Sequence, residues 1–312
     1  MNIPIISNDT IACDEVNGTL SLLLDKQGFN SAIGLQYAAS IAYELHEHQF
    51  PLIERDGEIA FIFEVPDWQM SERFAAAWTL ICAKRLGIGH AFGMIEEGHD
   101  PDLWPLMKVQ PNPGAPANSN ASVGEFRFHC DNAILPKRLR PEWISLACMN
   151  NEAEAATGIV SVEAISDALH PVYRQAVRED RFVCEAPPSF GEGFAESEPR
   201  PIIFDTIEGV QAAFPTYRTS PADKADKVAA DALRETERLA NEMAEWVTLK
   251  PGQILIFDNE RAMHARKPIN GNRLLLRAYW RQDTRELDRQ AGTAFAHLYS
   301  AKRALSATRG VK

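Results

Sequence analysis

His129, Asp131 and His264 are the residues of this chain whose types and spacing can do chemistry. His129 and Asp131 stand in Phe128-His129-Cys130-Asp131-Asn132, and His264 ends Asp258-Asn259-Glu260-Arg261-Ala262-Met263-His264. Two imidazoles and one carboxylate make the ligand set of a non-haem Fe(II) oxygenase, which leaves coordination positions open for a co-substrate and O2. On a strand, residues i and i+2 point to the same face. One strand end therefore offers His129 and Asp131 side by side, and a distant strand brings His264. A lone His-x-Asp also arises by chance, as a strand histidine hydrogen-bonded to its neighbour. The residues C-terminal to His264 separate the two readings.

After the loop Ala265-Arg266-Lys267-Pro268-Ile269-Asn270-Gly271-Asn272 comes Arg273-Leu274-Leu275-Leu276-Arg277-Ala278-Tyr279-Trp280-Arg281. This run is apolar and aromatic enough for a buried strand. Arg273, Arg277 and Arg281 share one phase of its period-2 repeat. Guanidinium groups on so apolar a strand need anionic partners, because an unpaired buried charge is costly. Arg meets a carboxylate through a fixed two-pronged fork. The strand after the distal histidine thus offers carboxylate-binding positions, or else three internal ion pairs. Before His264, Leu249-Lys250-Pro251-Gly252-Gln253 reads as a Pro-Gly turn and Ile254–Phe257 as a short buried strand ended by Asp258-Asn259.

These stretches carry a resemblance. With Glu125-Phe126-Arg127-Phe128-His129-Cys130-Asp131-Asn132-Ala133, Arg140-Pro141-Glu142-Trp143-Ile144-Ser145-Leu146, Ala155-Ala156-Thr157 and Leu249 to Arg281, the chain resembles the Fe(II)/2-oxoglutarate oxygenase superfamily. Within it, the chain is similar to the clavaminate synthase-like branch, which includes asparagine oxygenase and the arginine hydroxylases of peptide-antibiotic pathways. Taurine dioxygenase is a more distant relative. The resemblance covers roughly residues 85 to 285. It implies that His129, Asp131 and His264 bind iron, that Arg277 holds the distal carboxylate of 2-oxoglutarate with support from Thr157, and that Arg281 holds the substrate's own carboxylate. Several relatives have Glu where this chain has Asp131, and both ligate iron. Relatives that take arginine use paired Asp residues beyond the lid; here that segment reads Phe214-Pro215-Thr216-Tyr217-Arg218-Thr219-Ser220 and holds no Asp. Ser122, Asn132 and Tyr217 are further candidate substrate contacts, and no catalytic residue is expected beyond the metal site.

The expected activity is hydroxylation of an unactivated C–H bond of a free L-amino acid or close derivative, in specialised metabolism, with Fe(II) as cofactor and 2-oxoglutarate and O2 as co-substrates. Two alternatives keep the triad: a zinc-dependent hydrolase and a non-enzymatic cupin-like metal or ligand sensor. Neither uses Arg277 and Thr157 as a carboxylate clamp.

At 312 residues with 45% hydrophobic and 24% charged residues, the composition is that of an ordinary globular protein. A formal net charge of −11 argues against nucleic acid and against anionic membranes as partners; the expected partner is a small molecule, an amino acid. The five cysteines are scattered without a Cys-x-x-Cys pair, as expected for reduced thiols in a cytoplasmic protein. Strand alternation points Cys130 away from the metal.

Ser31 to His48 reads as a helix burying Ile33, Tyr37, Ala38, Ile41 and Leu45. Ser71 to Arg85 reads as a second, capped by Ser71 and ended by Gly87-Ile88-Gly89. Asp223 to Val247 reads as a long amphipathic helix with Val228, Ala232, Leu239, Met243 and Trp246 on one side. Strands are expected at Ile144–Met149, Gly158–Val162, Arg181–Cys184 and Ile202–Phe204. The fold class is mainly β with flanking helices: a double-stranded β-helix of the jelly-roll type, braced by N-terminal helices and one long inserted helix. The whole chain, 1–312, is read as a single oxygenase domain. Within it 1–110 is helical support, 111–285 the jelly-roll core with lid and helix insertion, and 286–312 a tail. Residues 185–200 are the candidate lid.

Overall fold

The computed structural model describes residues 2–8, 10–26, 29, 31–66, 71–98, 102–187, 190, 196–293 and 297–309. In chain order the elements are β1 (Ile5–Ser7), α1 (Thr10–Leu24), α2 (Ala32–His46), β2 (Ala60–Glu64), α3 (Glu72–Leu86), β3 (His90–Met94), β4 (Met107–Val109), β5 (Phe126–His129), β6 (Trp143–Asn151) and β7 (Thr157–Ser161). Then come α4 (Val162–Ala168), α5 (Pro171–Ala176), β8 (Phe182–Cys184), β9 (Ile203–Thr206), β10 (Gly209–Ala212), β11 (Thr219–Pro221), α6 (Lys227–Met243) and β12 (Glu245–Val247). The chain closes with β13 (Gln253–Asp258), β14 (Ala262–Arg266), β15 (Arg273–Arg281), α7 (Arg285–Ala291), β16 (Leu298–Tyr299) and α8 (Ala301–Arg309).

Two sheets matter for the site. The major sheet runs β1-β2-β13-β6-β15-β3-β16, with β4 also on β15. The minor sheet runs β12-β7-β14-β5. β15 is central to the major sheet, and strand alternation sorts its residues. Leu276, Ala278 and Trp280 join the cluster packed against the helices, together with Phe63, Ile254 and Ile256. Leu275 and Tyr279 join the inner cluster with Phe92, Leu255 and Phe257. Arg273, Arg277 and Arg281 lie in this inner phase. The minor sheet covers it, and its own outer side packs Val160, Met263 and Ala265 against α4 and α6 residues such as Ile165 and Ala240. The result is a layered β core with helices on both outer sides.

The N-terminal stretch is more than helical support. It contributes β1, β2, β3 and β4 to the major sheet, and β16 from the C-terminal stretch pairs with β3. Short-range periodicity does not show a three- to five-residue strand that pairs across the whole chain. Helix α1 has no counterpart in the sequence-based expectation either. Asn17, Gly18 and Thr19 in its middle are poor helix formers, and burial of Cys13, Val16 and Leu20 overrides them.

Helix α2 has the expected bounds and its Ser31 cap, whose Oγ accepts from the Gly34 N–H at 3.1 Å. Of the residues expected inside, Ala38 is buried and Ile41 half-buried, but Ile33, Tyr37 and Leu45 are exposed; the buried face turns instead toward Leu35, Ala39 and Ala42. Small side chains let α2 lie close between α1 and α3, which larger residues would hold apart. Ser71 stands at the α3 N-cap but makes no side-chain capping bond, while Gly87 ends the helix in the left-handed conformation at φ 60°. α6 ends at Met243, short of the expected Val247. Trp246 belongs to β12, opposite Gly158 of β7, where its ring fills the space a Cβ on Gly158 would need. Val162, expected to end a strand, instead opens α4, capped by Ser161. Of the candidate lid, residues 188–189 and 191–195, including Glu192, lie outside the described residues. Glu185 and Glu196 form a bridge at its base. No helix among the described residues is long and apolar enough to cross a membrane.

Gly89 offers a direct check on how β3 meets β15. Its φ is 87°, and a Cβ there would stand 2.4 Å from the Arg281 carbonyl oxygen. Gly89→Ala is expected to cost at least about 2 kcal/mol, from backbone strain plus a rigid clash. The loss should appear as a lowered midpoint in urea. An unchanged midpoint would mean the β3–β15 approach is looser than described.

Candidate metal centre and its two anion pockets

The minor sheet brings the triad together. β14 pairs antiparallel with β5 so that His264 lies directly opposite His129. Asp131 follows two residues past β5, where its backbone is clamped by Asn259. The Asn259 Oδ1 accepts from the Asp131 N–H at 2.8 Å, and its Nδ2 donates to the Asp131 carbonyl at 3.1 Å and to the Pro141 carbonyl at 3.0 Å. Donor atoms of His129, Asp131 and His264 all lie within 4.8 Å of one another. All three side chains are buried. Among the described residues this is the one such cluster. Cys130 turns away, its Sγ 3.7 Å from the Ala262 carbonyl.

The ring geometry fits a metal. His129 Nδ1 stands 2.8 Å from the Arg127 carbonyl, which can only accept, so Nδ1 carries the proton. That leaves the Nε2 lone pair for a cation, the usual arrangement behind a ligating histidine. Nε2 is buried without a hydrogen bond, although Asp131 Oδ1 is only 3.3 Å away. The His264 imidazole is held neutral, because burial and the neighbouring His129 push its pKa well below the usual value. Burial would raise Asp131, but the Arg277 guanidinium and the two imidazoles hold its carboxyl below the usual carboxylate range. A neutral imidazole at His264 and an ionised carboxylate at Asp131 suit a divalent ion.

The three in-phase arginines have three different fates. Arg273 Nη2 donates to the Thr157 hydroxyl at 3.2 Å. Thr157, expected to support the same carboxylate as Arg277, stands bonded to Arg273. Arg273 is 5% exposed and, among the described residues, makes no ion pair; burial and the nearby Arg266 lower its pKa to about 10. Arg266 is buried too. It donates to Ser122 Oγ at 2.9 Å and to the Gly124 carbonyl at 2.8 Å. A narrow cavity touches Arg266, Arg273, Arg277, Thr157, His129 and His264 together. Ser122, expected at the substrate, instead supports Arg266.

Arg277 bonds to the triad itself. Its Nη1 donates to Asp131 Oδ2 at 3.0 Å, and its Nη2 donates to Glu97. The Tyr279 hydroxyl donates to Glu97 at 2.6 Å. Burial raises the Glu97 carboxyl, against the pull of Arg277. Glu97 carries no sequence signal, since Glu96-Glu97 reads as an acidic surface turn. Arg281, expected to read the substrate carboxylate, is off the site. It donates to the carbonyls of Asp283, Lys137 and Arg140 and pairs with Glu142 at 3.2 Å, tying a loop to the strand end. Four residues at ~3.3 Å each separate it from Arg277, which carries it beyond the metal.

On the other side of the triad a cavity of about 500 Å³ is lined by Glu97, Asp131, Asn132, Tyr217 and Arg218. Asn132 adopts φ 54°, which turns the chain directly after the ligand. The Tyr217 ring sits 6.0 Å from His129. Both residues, expected as substrate contacts, line this cavity.

Curated relatives match parts of the chain. Clavaminate synthase 2 of Streptomyces clavuligerus is 27% identical over 222 residues, covering 66% of this chain and 64% of that protein. L-asparagine oxygenase of Streptomyces coelicolor is 27% identical over 164 residues, covering 52% and 48%. The chain thus spans less than two thirds of the length of these relatives. Among solved structures, asparagine oxygenase in complex with Fe(II), 2S,3S-3-hydroxyasparagine and succinate superposes with a TM-score of 0.77 at 20% identity, covering 95% of this chain and 99% of that one. Non-heme iron oxygenase OrfP in complex with Fe and alpha-ketoglutaric acid gives 0.75 at 16% identity over 95% and 99%. Both likenesses concern the fold. Residues 66–279 match the family described as "Taurine catabolism dioxygenase TauD, TfdA family", and the chain belongs to that family.

Proposed function

We propose that the protein is an Fe(II)/2-oxoglutarate-dependent hydroxylase of a free L-amino acid or close derivative. The two facing sheets are then the double-stranded β-helix, with His129, Asp131 and His264 as iron ligands. Bound iron would supply the O2 chemistry in which 2-oxoglutarate becomes succinate and CO2 and one oxygen atom enters the substrate C–H bond. The observation that carries the reading is Arg273. A buried guanidinium with a threonine hydroxyl and no carboxylate partner is unfavourable unless an anion joins it. It opens on the cavity of the two imidazoles, so the fitting anion is the distal carboxylate of a co-substrate that also reaches the metal. A zinc hydrolase or a metal sensor with the same triad would leave Arg273 uncompensated.

Arg277 and Glu97 form the second half of the reading. Glu97 lines the large cavity and is bonded to Arg277, which lines the narrow one; a cation and an acid paired between the two match an α-carboxylate and an α-ammonium group. The names of the relatives support an amino acid. Asp131 keeps the ligand position that chloride takes in halogenating members, so the expected product is hydroxylated and not chlorinated.

Anaerobic addition of Fe(II) and 2-oxoglutarate is expected to give a weak visible charge-transfer band, and air with the right amino acid should release succinate. A chlorinated product in the presence of chloride would overturn the hydroxylase assignment. Absence of both band and succinate, with hydrolysis by the zinc-loaded protein, would favour the hydrolase.

A further inference from the structure

The large cavity contains a guanidinium that no described residue neutralises. Arg218 lines it together with Glu97, Asp131 and Tyr217. It closes the short turn Thr216–Arg218 just before β11 and is half-buried. Its backbone is held on both sides: its N–H donates to the Pro215 carbonyl at 3.3 Å, and its carbonyl accepts from the Glu185 N–H at 2.8 Å. The Pro215 segment is itself bridged to His129, so the turn has a defined place beside the metal. The guanidinium lies 5.3 Å from the Tyr217 ring centroid. Among the described residues it makes no ion pair and no side-chain hydrogen bond. Glu185 also lines the cavity, but it is exposed and meets Arg218 only through its backbone N–H.

Of the other charges lining the cavity, Asp131 and Glu97 are both bonded to Arg277 at the metal end. That leaves Arg218 and the exposed Glu185 as the remaining charges among the described residues of its wall, and Arg218 as its one remaining cation. A half-buried guanidinium beside an aromatic ring is poorly solvated, and a bidentate carboxylate is its best partner. It also repels a basic side chain, which is selection by exclusion as much as by attraction.

We infer that the cavity selects an amino acid whose side chain carries a carboxylate, and that Arg218 is the residue that reads it. This rests on the amino-acid hydroxylase reading above. The α-groups bind at Arg277 and Glu97, and the side chain runs toward Arg218 across the open face of the triad.

The test uses the full chain loaded with Fe(II) and 2-oxoglutarate. L-Aspartate, L-glutamate, their carboxamides, L-lysine and L-arginine are each scored for hydroxylated product and for succinate. The expected kcat/KM for one of the two acids exceeds that of its own carboxamide at least tenfold, about 1.4 kcal/mol. In Arg218→Gln this acid-over-amide ratio is expected to collapse by about the same factor, with the loss on KM and not kcat, as for a contact made equally in ground and transition states. Arg218→Glu is expected to shift preference toward lysine or arginine, and melting temperatures would show that both variants fold. Equal or faster turnover of a carboxamide or a basic amino acid by the unmodified protein overturns the inference alone. So does an unchanged ratio in a folded Arg218→Gln. If no amino acid is hydroxylated while the visible band forms and 2-oxoglutarate is still turned over to succinate, the amino-acid reading falls as well.

Discussion

His129→Ala and His264→Ala are each expected to abolish Fe(II) binding and turnover while leaving the fold intact. The two imidazoles face one another across a single β5–β14 pair, and each would supply one of the three proposed protein ligands. With one gone, two donors remain, and the open face widens to water. The ladder itself does not depend on the rings. Its backbone bonds stay, and Phe128 on β5 and Met263 and Ala265 on β14 keep their places in the outer core of the minor sheet. Thermal unfolding supplies a readout besides activity. A ligand that binds only the folded state at 100 times its Kd stabilises by about 2.7 kcal/mol. Fe(II) should therefore raise the melting temperature of the unmodified protein and leave both variants unmoved. Full turnover by either variant would remove that residue from the ligand set.

Arg273→Ala is expected to raise the KM for 2-oxoglutarate at least tenfold. Truncating one partner of a buried charge pair costs of order 2–5 kcal/mol, since the carboxylate left behind stays desolvated and unpaired. Thr157→Val should weaken the same binding by less, because a hydroxyl contributes about 1 kcal/mol of net hydrogen bonding. Arg277→Ala is the informative contrast. It should spare the anaerobic 2-oxoglutarate band and raise the KM for the amino acid, because Arg277, though it also lines the narrow cavity, commits its guanidinium to Glu97 and Asp131. The reverse result, with 2-oxoglutarate binding lost in Arg277→Ala and kept in Arg273→Ala, would restore the assignment implied by the sequence resemblance and separate Thr157 from its observed partner.

These two arginines mark where reading along the chain stops. The sequence by itself determined the chemistry and its local geometry. A His-x-Asp at a strand end announces two candidate ligands close together, and the fold keeps them so although Asp131 lies past the end of β5. An apolar strand with arginines every fourth residue announces buried partners for them, because burying an unpaired guanidinium is costly; Arg277 and Arg281 find theirs in internal carboxylates. Gly87 as the stop of α3 was legible for the same reason, since a left-handed residue is cheap only for glycine.

Only the tertiary structure decided which arginine does what. Arg273, Arg277 and Arg281 are equivalent in phase, and the stagger of β15 against β7 and the Asp131 loop sets each one's partner. That stagger comes from pairings far apart in sequence, such as Arg277 with Leu146 and His264 with His129. The same holds for Glu97 and Asn259. Each looks like an ordinary turn residue until the fold sets it against Arg277 or the Asp131 backbone. Helix α2 gives the plainest case. Its large apolar residues predicted one buried face, and close packing between α1 and α3 selected the alanine face instead, because interior space is decided by the neighbours and not by hydrophobicity alone.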